Sequence, residues 1–180
     1  ADRGKTMAEM RNRGLGIVHK VKRGGKLDFA QELDCFFREL RKGEAGKREC
    51  VFWLQNVMME LERVLEEARI EEEKIYTEMK QIQISIYEDE TLAEMEQDLQ
   101  SACLLVSDVL EQQKDGCNQR LVLLARDYID QHYSDSDISL DAICSYLSVS
   151  VSHFSSFFKR YTGTTFVEAL TKRRIERAKE

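Results

Sequence analysis

The chain has 180 residues, of which 42% are apolar and 33% charged, with no proline and a formal net charge of -6. That length suits one domain or two small ones, and the apolar share can fill a core. No run approaches the ~20 consecutive apolar residues of a membrane span, so no membrane partner is expected, and the polar start Ala1 to Met10 does not read as a secretion signal.

The five cysteines, Cys35, Cys50, Cys103, Cys117 and Cys144, include no C-x-x-C pair. That argues against zinc or thioredoxin-type chemistry. They read as reduced, mostly buried thiols in a cytoplasmic protein. The absence of proline, which breaks helix interiors, together with abundant Leu, Glu, Lys and Arg, favours an all-α protein. Charge is unevenly spread: residues 1–26 carry +6, residues 27–120 carry -12, residues 121–180 are neutral, and 151–180 alone carry +4. A DNA-binding part needs local positive charge to neutralise phosphates. The acidic middle would repel DNA, which gives it other work.

In chain order, residues 1–26 contain Gly4, Gly14, Gly16, Gly24 and Gly25 among basic residues. They are expected to form a flexible basic arm or the remnant of a preceding domain, a DNA-touching arm being the alternative. Gly24-Gly25 should break any helix. Gly14-x-Gly16 lacks the preceding strand and third glycine of a phosphate-binding fingerprint. Leu27 to Lys42 predicts a helix with Leu33, Phe36, Phe37 and Leu40 on one face. Val51, Leu54, Met58, Leu61, Leu65 and Ala68 then step by 3-4-3-4-3, the spacing of helices that pack side by side. Ile75 to Tyr87 is ambiguous. Ile75, Met79 and Ile82 suit a helix, whereas Ile82, Ile84 and Ile86 alternate like a strand, so a helix with an irregular end is expected.

Thr91 and Glu94 form a capping box. The helix it opens carries a second seam, Leu92, Met95, Leu99, Ala102, Val106 and Val109. Two such seams suit an antiparallel bundle; a homodimer through one of them is the alternative. Gly116 is expected to end that helix. Another should run from about Asn118 to Tyr133 with Leu121, Ala125, Tyr128 and Ile129 inward. The organisation expected is an acidic helical linker over 27–117 followed by a distinct unit over 118–180.

From Ile138 the pattern sharpens. Ser139 can cap a short helix from Leu140 to Leu147. A tight turn follows at Ser148 and Val149. Ser150 can cap a second helix to about Tyr161, and Gly163 can close it in a left-handed conformation. Thr165 and Glu168 make another capping box and open a last helix. Two short helices joined by a tight turn read as a helix-turn-helix, whose second helix can lie in the major groove. The expected inward set is Leu140, Ile143, Cys144, Leu147, Val149, Phe154, Phe157 and Phe158. Ser152, Ser155, Ser156 and Lys159 face outward. Lys159 and Arg160 suit phosphates, with Lys172, Arg173 and Arg174 extending the basic surface. Spacing alone leaves an ordinary helical hairpin as an equal alternative.

The run from Ile129 to Glu180 resembles the first half of an AraC/XylS-family DNA-binding domain. The likeness rests on Tyr133-Ser134-Asp135, Ile138 to Leu147, Ser150, Ser152, Phe154, Phe158-Lys159, Thr162-Gly163, Phe166 and Arg173 to Ala178. The helical stretch before it resembles the linker of YesN-like response regulators. The resemblance implies two helix-turn-helix units bridged by a long helix, each placing a recognition helix in a major groove. Ser152, Ser155 and Ser156 then become base-facing candidates, with Lys159, Arg160, Arg173 and Arg174 on phosphates. It also implies double-stranded DNA and a sensor kinase as partners. Three positions depart from the family pattern: Cys144 stands for its small alanine, Ser148 for its turn glycine and Val151 for its helix-opening proline. A receiver domain and the second unit are absent, so a fragment of a longer regulator is expected.

The three histidines, His19, His132 and His153, fall in no ligand spacing. No nucleophile-base arrangement is visible and the glutamates read as solvated helix faces. No enzyme activity, metal or cofactor is therefore expected. The function classes left are a sequence-specific transcription regulator, the output part of a two-component system, or a helical dimerisation and signal-relay module that binds no DNA by itself.

Overall fold

The computed structural model describes residues 2–24, 28–43 and 45–179, the side chains of 2–6 excepted. Its described residues form eight helices and no strand: α1 (Asp2–Arg23), α2 (Asp28–Lys42), α3 (Lys47–Glu67), α4 (Glu73–Glu88), α5 (Leu92–His132), α6 (Leu140–Leu147), α7 (Val151–Thr162) and α8 (Phe166–Ala178). The all-α expectation holds. The chain divides into two compact units, Ala1–Gln112 and Gln113–Glu180, and α5 supplies residues to both.

Unit 1 is built on α1, α2 and α3. Arg13 approaches Glu39 to 3.8 Å and Lys22 donates to Glu67 at 2.6 Å. A Cβ on Gly14 would stand 3.0 Å from Val57 Cγ2, and one on Gly16 would stand 3.5 Å from Glu32. Those pairings run α2 antiparallel to α1 and α3 parallel to it. The flexible arm expected over residues 1–26 is corrected by α1, whose buried face reads Met10, Gly14, Ile17 and Val21. That is a 4-3-4 seam with a glycine at one position. The glycine looks like a helix breaker, yet its missing side chain is what lets α1 approach α3. α1 ends at Arg23 before Gly24, which has φ +88°; Gly25 lies outside the described residues.

Every member of the first seam from Val51 to Leu65 is buried, and Ala68 packs against the same core. The second seam joins that core: Met95, Leu99, Ala102, Val106 and Val109 are buried and Leu92 packs against them. Fully burying each Val, Leu or Met side chain among them contributes about 1.5–3 kcal/mol. Both seams are thus consumed inside the unit, and the surface expected for a dimer through Leu92 to Val109 is interior. α4 is helical throughout, correcting the irregular end expected near Tyr87. Ile75, Met79 and Ile86 are buried and Ile82 packs on the core, another 4-3-4 seam. Ile84 is exposed, so the strand-like alternation was fortuitous.

α5 runs unbroken through Gly116, where a helix end was expected. A helical glycine costs about 1 kcal/mol relative to alanine. One such cost is small beside the packing of a 41-residue helix that has buried residues on either side of it. The two units therefore divide inside a helix at 112/113 and not at a loop near 117.

Unit 2 has its own core. Val122, Ala125 and Ile129 of α5 meet Ile143 and Cys144 of α6, Phe154, Phe157 and Phe158 of α7, and Phe166 and Leu170 of α8. Phe154 is at its centre, stacked on Phe158 at 5.2 Å and edge-on to Phe157 and Phe166 at 5.3 and 6.0 Å. Leu121, Tyr128, Leu140, Leu147 and Val149 pack around this cluster.

Candidate nucleic-acid interface

The candidate surface is the exposed face of α7, and local chemistry sets where that helix starts and stops. Ser139 Oγ accepts the Ala142 amide at 3.1 Å and opens α6. Ser148 closes α6 in the left-handed region, φ 54° and ψ 41°, with its N–H on the last carbonyls of the helix. Ser150 Oγ then accepts the His153 amide at 3.3 Å and opens α7. The connection between α6 and α7 is thus three residues with a cap at either end. Gly163, at φ 76°, ends α7 where a side chain would be strained. Thr165 and Glu168 form the reciprocal capping box of α8. The Thr165 N–H holds the Glu168 carboxyl below the usual glutamate range.

α7 is divided by its period. Phe154, Phe157 and Phe158 are buried, while Ser152, Ser155, Ser156 and Lys159 are exposed on the other side. These four sequence-derived candidates do share one face. His153, which falls in no ligand spacing, is exposed in the first turn, its ring edge-on to Phe157 at 5.1 Å.

The arginines sit differently. Arg160 is exposed and lies 4.0 Å from Asp115 of α5, with its guanidinium 5.6 Å from the Tyr161 ring centre. Arg173 is only 27% exposed and pairs with Asp130 at 2.6 Å. Arg174 donates to the carbonyl oxygens of Tyr133 at 2.7 Å and Asp135 at 2.9 Å, fastening the α5–α6 connection to α8. Arg173 and Arg174 were expected on phosphates; in the folded unit Arg173 is held in an ion pair with Asp130, and Arg174 already donates to two backbone carbonyls.

One interaction was invisible in the sequence. Tyr161 Oη donates to Asp115 Oδ1 at 2.6 Å across 46 positions, which ties the end of α7 to α5 and pushes the phenol up from its usual pKa. No local pattern marks such a pair. Chemically, the α7 face offers three short hydroxyls, an imidazole and an ammonium. Those are groups that bind phosphate oxygens and base edges. No group of three His, Cys, Asp or Glu side chains that could hold a metal occurs among the described residues. No described helix is long and apolar enough to cross a membrane. The chain matches no protein-family model, no curated protein and no solved structure.

Proposed function

We propose that unit 2 binds double-stranded DNA with α7 in the major groove, and that the chain belongs to a cytoplasmic transcription regulator of the AraC/XylS kind. In this reading it is the output part of a response regulator that a sensor kinase controls, with no catalysis of its own. The observation that carries the reading is the division of α7 into a phenylalanine side and a Ser152, Ser155, Ser156 and Lys159 side, directly after a three-residue capped turn. Paired half-sites would be read by a homodimer.

Affinity comes mainly from charge. Lys159 and Arg160 act on phosphates, so binding falls steeply as salt rises. Arg173 and Arg174 contribute less, because Asp130 and two carbonyls already occupy them. Serines cannot make the bidentate fork worth ~1–3 kcal/mol of base discrimination, so sequence preference is shallow. Fluorescence anisotropy with labelled duplexes over a salt series tests this. Lys159→Ala with Arg160→Ala should weaken binding to every duplex and flatten the salt slope, by roughly one unit for each phosphate no longer neutralised. Ser155→Ala and Ser156→Ala should alter preference among duplexes instead. Absence of salt-dependent binding to any duplex would refute the reading.

A further inference from the structure

Unit 1 contains an open cleft of about 610 Å³ between α1 and α3 that the DNA-binding reading does not use. Its volume falls in the ~300–1,000 Å³ range of small-molecule sites, which are apolar with a few placed polar groups. Met7, Leu15, Phe52 and Trp53 line it. Phe52 is 50% exposed and Met7 48% exposed, apolar surface that water covers at a cost.

The polar groups are unevenly matched. Arg11 and Asn56 also line the cleft, and with Gly14 opposite Val57 on parallel helices they fall at about the same level. Arg11 is exposed and has no ion-pair partner among the described residues. Asn56 donates one amide hydrogen to the Phe52 carbonyl at 2.7 Å. The acid in the lining, Glu60, is one turn further along α3; its Oε2 is buried without a hydrogen bond and lies 2.8 Å from the Arg63 guanidinium, which offsets its charge. The lining of this largely apolar cleft thus includes one guanidinium without an ion-pair partner among the described residues, a group that suits a carboxylate on an apolar body.

We propose that this cleft binds a small amphiphilic carboxylic acid, its apolar body against Phe52 and Trp53 and its carboxylate on Arg11. Trp53 is the only tryptophan in the chain, so its emission reports occupancy in the intact protein. Titration with the matched set decanoate, decanol and decylamine should give a saturable emission change for decanoate, a weaker one for decanol and none for decylamine. Arg11→Gln should weaken decanoate roughly tenfold, the loss of one charge-assisted hydrogen bond, and leave decanol unchanged. Ala8→Phe, at an exposed position lining the cleft, should weaken both. Both substitutions lie on the surface and should leave the helical circular dichroism intact. Absence of a saturable change with decanoate overturns the proposal, as does equal binding of all three probes or an Arg11→Gln protein that still prefers decanoate. A dimer that Ala8→Phe abolishes and decanoate does not affect would assign the cleft to a second copy and overturn it equally.

Discussion

Replacing Ser148 by glycine should stabilise unit 2, and the size of the gain can be worked from the backbone. Ser148 and Arg69 are the two described non-glycine residues with positive φ. For a residue with a Cβ the left-handed region costs about 1–2 kcal/mol. The exposed Ser148 hydroxyl makes no hydrogen bond among the described residues, so its loss removes nothing there. Glycine returns about 0.5–1 kcal/mol through its freer unfolded chain. The net gain is about 0.5–1 kcal/mol, or a factor of roughly two to five in the folded-to-unfolded ratio. Native-state hydrogen exchange at the amides of Val149, Phe154 and Phe158 reads unit 2 without interference from unit 1, and protection there should rise by that factor. Ser148→Val should lower it, since a β-branched side chain tolerates positive φ worst. Unchanged or faster exchange in Ser148→Gly would show that the turn is not strained and refute the reasoning.

Other outcomes follow from the packing. Leu99→Ala should destabilise unit 1 by about 2–5 kcal/mol in urea unfolding followed by Trp53 emission; an unchanged midpoint would mean that the seam is not interior. Arg174→Ala should lower the thermal stability of unit 2 by about 1 kcal/mol through loss of its bonds to Tyr133 and Asp135. Lys159→Ala should leave stability unchanged and reduce only DNA affinity, so equal effects of the two on melting would contradict the assignment. The capping box gives a pH dependence: a depressed Glu168 pKa means its stabilisation is present above the ordinary glutamate range and lost as pH falls through the lower folded value. An NMR carboxyl titration should place Glu168 below ordinary glutamates, and Glu168→Gln should remove that acid sensitivity from α8.

Local chemistry and period suffice for much of this chain, because they act between residues three or four apart. The 3-4 seams from Val51 and from Leu92, the serine caps of α6 and α7 and the Thr165–Glu168 box could all be read from neighbouring residues. So could the exposure of Ser152, Ser155, Ser156 and Lys159 opposite three phenylalanines. What tertiary structure alone decided was where a side chain's partner lies far along the chain. Gly14 reads as part of a flexible arm until Val57 stands 3.0 Å from its missing Cβ, and Gly116 counts as a stop until packing on either side carries α5 through it. Arg173 and Arg174 look like phosphate ligands until Asp130, Tyr133 and Asp135, some forty positions away, are found holding them. Nothing local marks Asp115 as the partner of Tyr161. A seam read from spacing likewise cannot say whether it faces its own chain or another, because that depends on which helices pack against it.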